Sequence, residues 1–479
     1  MGTNHPKSLP GSKPRANSKK LALKKAIWDP SLRISPKQLS KVSPPRRRSY
    51  WSFLWAIALV VGSASGMASL GWLSLQLIIN PQSVKWVNQL IPGWSADPNL
   101  DQPAKSLPDI RHELRQQERI PGDLILLGKT LSFLDGKTPT VDWLLPVRRI
   151  EPNCMLNCDR IVELRVYQTA IDQRRSLTTK DTYYLVSQLA ITGLEESFAI
   201  APLVEATSVN QGSSRALPLT QLSRYEGTVP KQGVWLNLSG TRTRGDEAIT
   251  YGQILYYHPN HQHLSVKLQW TSPTEEEPVW KEVTGGGTPE LIVNQTIGME
   301  PYFEIYQMKP HTFVRSPVQL ELISVIDPVL EDSQYHSALL LARSRLWSTS
   351  LKWLQSFKQR SPKHWSAATQ AQLDLVRWHA QATHNQAEGS WASPSQQILA
   401  NMIDGRWERA LTVFESSVEA SQETVGLLKT DRGRLENRIK AALRVSPKKI
   451  EVKTWGTLLL AAQQSQSVAI AWLKKQPNT

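Results

Sequence analysis

The sequence predicts a multidomain α+β protein anchored in a membrane. It should carry one transmembrane helix, then an antiparallel all-β domain (a sandwich or a barrel), then an α domain of helical hairpins. Three observations predict this. Residues 50–79 run for thirty residues without a charge, directly after Arg46, Arg47 and Arg48. Residues 121–330 are short Val/Ile/Leu/Tyr-rich runs punctuated by Gly, Pro and Asn, the pattern of strands joined by turns. Residues 331–479 carry Leu and Trp at helical spacing, including eight of the chain's 18 tryptophans.

The expected order begins with a basic tail, residues 1–49, rich in Lys, Pro and Ser. Residues 1–48 hold a net charge of +12, and such a composition favours disorder. The uncharged run follows. A spanning helix needs about 20 apolar residues, and thirty at 1.5 Å each reach about 45 Å, so the run spans with tilt. Trp51, Trp55 and Trp72 are placed as interface aromatics. The charge asymmetry puts the tail in the cytoplasm and everything after the span outside it. The expected location is the inner (plasma) membrane or a thylakoid membrane, with one signal-anchor span. Within the span Ala58, Gly62 and Gly66 recur every four residues, a spacing that lets a second helix approach closely. Residues 80–120, broken by Pro81, Pro92, Pro98, Pro103 and Pro108, read as a tether. A short polar helix capped by Asp109 lies near its end.

The formal charge of +15 suggests nucleic acid until it is partitioned. Residues 49–330 carry −5 and residues 331–479 carry +8, so most of the excess is the tail. That argues against nucleic acid and for topology or anionic lipid as its role. Cysteine is confined to Cys154 and Cys158. A disulfide between them is the leading reading outside the cytoplasm, with two free thiols as the alternative.

In the β domain, strands are expected at 124–127, 161–167, 183–191, 234–238, 254–257, 264–270, 291–293, 302–306 and 320–326, with hairpin links at 240–246 and 258–261. In the helical domain, helices are expected at 337–357, 367–383, 396–402, 407–428, 435–443 and 455–473. The stretch DGRWERALTVFE from Asp404 resembles the turn and second helix of a tetratricopeptide repeat, and LWSTSLKWL from Leu346 resembles it again. Both share W-x3-L-x2-[L/F], but their tryptophans are 60 residues apart against a family period of about 34. The resemblance implies stacked helical hairpins and a partner-binding surface. The chain as a whole also resembles cyanobacterial single-pass membrane proteins, on its basic tail, apolar run and Trp-rich end, which implies no activity.

Chemistry is sparse. His258, His261 and His263 are the best metal candidates, since imidazoles suit zinc or copper, but they sit at a turn with no acidic ligand beside them. No metal, cofactor or catalytic residue is therefore assigned. Gly128-Lys129-Thr130 lacks the spacing of a phosphate-binding loop. Residues 429–453 concentrate Lys429, Arg432, Arg434, Arg438, Lys440, Arg444, Lys448, Lys449 and Lys453 against three acids, a basic patch. The expectation is a membrane-tethered scaffold that binds protein partners, or itself, through its helical and β modules. The alternatives are an envelope hydrolase with its site in the β domain, and a ligand sensor.

Overall fold

The computed structural model describes residues 103–131, 139–150, 159–170, 181–206, 212–244, 247–310 and 317–477. The chain divides into two compact units, Met1–Leu70 and Gly71–Thr479. The first lies wholly outside the described residues, and the second holds every described element.

The expected transmembrane architecture is not found. Among the described residues no helix is long and apolar enough to cross a membrane. Only Ala367–Glu388 exceeds 18 residues, and it carries Asp374, Arg377, His379, His384 and Glu388, groups that are costly in hydrocarbon. The run 50–79, with its Ala58, Gly62 and Gly66 face, falls outside the described residues, as do the basic tail, most of the tether and the Cys154–Cys158 pair. The fold is α+β, with antiparallel sheets and eleven α-helices among the described residues, and contains no transmembrane helix there. The single-pass, signal-anchor and extracytoplasmic assignments, and the plasma- or thylakoid-membrane location, rested on that helix and are withdrawn.

The described chain opens with β1 (Lys105–Ser106), α1 (Leu107–Gln116) and β2 (Ile120–Pro121). The α1 cap is Ser106, whose hydroxyl accepts the Asp109 N–H, not Asp109 as the sequence suggested. Pro108 fits the first turn because it has no N–H to satisfy there. Then come β3 (Ile125–Leu131), β4 (Pro139–Ile150), β5 (Asp159–Ala170) and β6 (Thr182–Ala190). These strands form the first sheet, in the order β1-β6-β5-β4-β2, with β3 also on β4. A small ribbon of β7 (Leu194–Glu195) and β8 (Ala216–Leu217) flanks α2 (Glu196–Ala206). The second sheet runs β12-β11-β10-β9, from β9 (Gln221–Arg224), β10 (Val234–Arg244), β11 (Glu247–His258) and β12 (His263–Ser272). The third runs β13-β14-β15-β16, from β13 (Val279–Lys281), β14 (Glu290–Asn294), β15 (Phe303–Pro310) and β16 (Val318–Leu322).

The sheets are layered through shared cores. Side chains alternate between faces along a strand. In β10, Leu236 and Leu238 join Leu144, Leu164 and Val166 of the first sheet, while Trp235 joins Trp280, Leu291 and Val293 of the third. In β11, Leu255 and Tyr257 turn to the first sheet, and Ile254 and Tyr256 to the third. The second sheet is thus buried on both faces, which is why VWLNL and ILYY read as unbroken apolar runs. On the outer side of the first sheet, Ile110 and Leu114 of α1 cover Leu145, Val147 and Tyr167. On the far side of the third, Ile292, Ile305 and Ile323 meet Ala371 and Leu375 of the helical region.

That region comprises α3 (Ser333–Arg343), α4 (Trp347–Arg360), α5 (Ala367–Glu388), α6 (Pro394–Asp404), α7 (Trp407–Phe414), α8 (Val418–Thr430), α9 (Arg434–Val445), α10 (Ile450–Gln463) and α11 (Gln466–Lys474). Helices α3 to α7 pack each on the next, α8 returns onto α6, α10 lies against α7, α8 and α9, and α9 comes back to α3. Three expected long helices are each split in two. The breaks fall at Arg345, which adopts a left-handed conformation, and at Ser417 and Ser465, whose side chains cap α8 and α11.

Candidate functional site

The hairpins α3–α4 and α6–α7 close with the same turn. In one, the Leu346 N–H donates to the Leu341 carbonyl and the Arg345 N–H to Ala342. In the other, the Arg406 N–H donates to Asn401 and the Gly405 N–H to Met402. Arg345 and Gly405 are the left-handed residues of the two turns, with φ of 61° and 79°. Each stands two residues before a buried tryptophan, Trp347 or Trp407. Gly405 costs nothing there, whereas a side chain in this conformation costs about 1–2 kcal/mol. A Cβ at 405 would also lie 2.7 Å from Thr349 Oγ1. Asp404 knits the surrounding helices: it accepts hydrogen bonds from Ser348 of α4 and Thr383 of α5, and its Oδ2 lies 2.7 Å from Arg406 Nε.

A concave feature of the helical region lies between α7, α8 and α10. Phe414, Val425, Leu428, Leu458, Ala461 and Ala462 line an apolar groove of about 310 Å³ with Lys429 at its edge. Its walls are fixed from outside the groove. Gln463 Nε2 donates to the Leu428 and Asp431 carbonyls, both at 3.0 Å, and Trp455 Nε1 donates to the Trp407 carbonyl at 3.0 Å. Val418 and Val425 stand two turns apart on one face of α8 and are 75% and 36% exposed.

The expected basic patch does not form one face. Lys429, Arg432, Lys440, Arg444, Lys448 and Lys449 are exposed and Arg434 is half-buried. Arg438 and Lys453 are buried. Lys453 Nζ donates to the Pro477 carbonyl at 2.5 Å. Arg438 reaches into the third sheet's side of the molecule. Its guanidinium forks onto Glu300, with Nη1 to Oε1 at 2.8 Å and Nη2 to Oε2. Burial pulls the Glu300 carboxyl up, but the Arg438 guanidinium, together with the charges of Arg345 and Arg434, outweighs it and holds the carboxyl below its ordinary range.

The three histidines meet at the β11–β12 hairpin. His258 pairs across the ladder with His263, and its ring centroid is 4.4 Å from that of His261. Its Nδ1 accepts the His261 backbone N–H at 3.2 Å, so the ring caps the turn. Burial and the neighbouring His261 and His263 push its pKa down to about 4. Among the described residues no group of three or more His, Cys, Asp or Glu side chains is arranged to hold a metal.

A second concavity, polar and of about 260 Å³, lies where α1 meets the first sheet. Glu113 is the carboxylate among the residues that line it, and Glu163 stands behind its Arg119 and Arg165; each acid is already matched. Glu113 pairs with Lys105 at 2.5 Å. The buried Glu163 takes Arg119 and Arg165, the latter through Nε at 2.7 Å. Neither glutamate is left as a free acid or base for hydrolysis. The sequence showed no sign of this cluster because its members are spread over β1, α1, β5, β6 and the turn after α1.

No protein-family model matches the chain, and no curated protein does either.

Proposed function

We propose that the chain is an interaction protein that seats a partner's amphipathic helix in the groove between α7, α8 and α10. The observation that carries this reading is the groove itself, open, apolar and bordered by the exposed Val425 of α8. Helix-in-groove recognition uses apolar anchors at i, i+3, i+4 and i+7, and the α10 wall offers Leu458, Ala461 and Ala462 at that same spacing. Charge selects the partner. Lys429 edges the groove, Arg432, Lys448, Lys449, Lys474 and Lys475 are exposed on the same helical region, and residues 331–479 carry a net +8. The fitting partner is a helix with an apolar face and acidic flanks, drawn in by long-range attraction. The layered sheets serve as a stiff base, and the stacked hairpins carry the binding face.

The test uses the full chain and a fluorescein-labelled amphipathic peptide with Leu on one face and Glu on the other, followed by anisotropy. Saturable binding is expected. Val425→Glu places a charge at an exposed groove position and should weaken it at least tenfold, about 1.4 kcal/mol. Equal affinity of the Val425→Glu variant, or equal affinity for a peptide with Lys in place of Glu, would overturn the reading.

A further inference from the structure

The turn that precedes α4 carries an arginine where its twin carries glycine, and that arginine faces an unusual electrostatic environment. Glu300 lies in the short turn between β14 and β15, and Arg438 of α9 grips it with both Nη atoms. Arg434 stands one helical turn before Arg438 on the same side of α9. Arg345 lies over the ring of Tyr302, two residues from Glu300, with Cζ 5.0 Å from the centroid. The charges of Arg345 and Arg434 are also felt at the Glu300 carboxylate, so the acid that Arg438 grips lies in the field of two further guanidinium groups. Among the described residues no carboxylate pairs with Arg345 or Arg434. Of the acids nearest Arg434 in sequence, Glu436 pairs with Lys440 at 2.6 Å, and Asp431 is occupied in capping α9, accepting the Gly433 and Leu435 N–H groups. The buried Nε of Arg438 also has no hydrogen-bond partner among the described residues.

Two of these cations sit where local physics opposes them. Arg345 holds a left-handed backbone that Gly405 adopts freely in the twin turn. Arg434 is the first residue of α9, at the positive end of a helix, where a cation is disfavoured. Residues that violate local preference gather at functional or strained sites. Half-buried guanidinium groups with an excess of two positive charges are matched by a dianion with several acceptor oxygens, and the arginine fork fits a phosphoryl group.

We propose that Arg345, Arg434 and Arg438, arranged around Glu300 and Tyr302, form a binding site for a phosphoryl dianion at the junction of the third sheet with α3 and α9. Arg438 stays committed to Glu300 and orients the site. Arg345 and Arg434 supply the charge that the ligand neutralises. The site is separate from the helical groove and does not depend on it.

The test is calorimetric titration of the full chain with inorganic phosphate, and with glycerol phosphate as a monoester, against sodium chloride at matched ionic strength. Saturable phosphate binding and a phosphate-dependent rise in Tm are expected. Comparable or tighter binding of the ester would identify the ligand as the phosphoryl end of a larger molecule. Binding of inorganic phosphate alone would identify the free ion. Arg345→Gly keeps the turn, as Gly405 does in its twin, so it should fold with an unchanged or higher Tm and bind phosphate at least tenfold more weakly. Arg434→Gln should weaken binding in the same direction. No saturable binding beyond the chloride control, or wild-type affinity in Arg345→Gly, would overturn the proposal.

Discussion

His379 and Phe303 are joined by a single hydrogen bond that binds the third sheet to the helices: the Phe303 backbone N–H donates to His379 Nε2 at 2.9 Å. The other ring nitrogen, Nδ1, donates to the Leu375 carbonyl at 2.9 Å. The ring also stacks on Trp347, with centroids 4.0 Å apart and planes 23° apart. Both nitrogens are used with the ring neutral, and a second proton would have no acceptor. One imidazole therefore ties β15, α4 and α5 together and fixes its own tautomer.

Burial pushes the His379 pKa down to about 4, whereas an unfolded histidine titrates near 6.5. The stabilising contribution is complete above about pH 6.5. It is lost as pH falls toward 4, because the unfolded chain takes up the proton first. The loss is on the order of 3 kcal/mol. In urea denaturation across this range the stability difference between wild type and His379→Gln should shrink as pH falls from 6.5 toward 4. The glutamine variant should also be destabilised by roughly 1–3 kcal/mol through the disturbed Phe303 bond. A profile of equal slope in the two proteins would refute the assignment.

Asp142 works in the opposite direction. It is buried between the first and second sheets and accepts from Tyr257 Oη at 2.7 Å and Gln168 Nε2 at 3.0 Å. Burial outweighs these two donors and raises its pKa to about 6. The folded state therefore holds the proton more tightly than the unfolded chain. Its contribution is greatest below about pH 4 and declines by about 3 kcal/mol as pH rises to 6. Asp142→Asn should remove that decline and leave the opposite slope of His379 visible in the same urea experiment. An unchanged pH profile in Asp142→Asn would show that Asp142 does not titrate in this range.

The sequence made the strands of the second sheet legible because unbroken apolar runs, VWLNL and ILYY, are bounded by turn residues on both sides. It hid β4, where Pro146 and the charged pair Arg148-Arg149 interrupt the apolar pattern of a strand that nonetheless pairs with β5 along its length. It merged α3 with α4 because Arg345 gives no outward sign of a left-handed turn, whereas Gly405 in the twin turn does. The basic patch was read as one surface because composition counts charges without directions. Arg438 points inward only because Glu300, 138 residues away, comes to meet it. The histidine cluster was found by proximity in sequence, yet its chemistry is that of a turn cap. The groove needed α7, α8 and α10 together, and no local pattern joins Phe414 to Leu458.

The buried fork of Arg438 and Glu300 predicts strong non-additivity. Arg438→Met leaves the Glu300 carboxylate buried and unmatched, which should cost on the order of 3–5 kcal/mol. Glu300→Gln in the same background should recover much of that loss, since no buried charge then remains. A thermodynamic double-mutant cycle by urea denaturation checks this. Additive losses would mean that the two side chains do not depend on each other.

Gly456 of α10 predicts a packing effect. A Cβ there would lie 2.4 Å from the Trp472 ring of α11. Gly456→Ala should displace α11 and lower stability by about 1–3 kcal/mol, with the change in hydrogen exchange concentrated on residues 466–474. Wild-type stability would mean that α11 can shift aside without loss.

Hydrogen exchange of the full chain, with and without the acidic amphipathic peptide, tests the interaction reading most directly. The groove account predicts that added peptide slows exchange in α8 and α10, centred on residues 425–429 and 458–462, and leaves the β11–β12 hairpin unchanged. Protection elsewhere with none in α8 and α10, or no protection at saturating peptide, would contradict it.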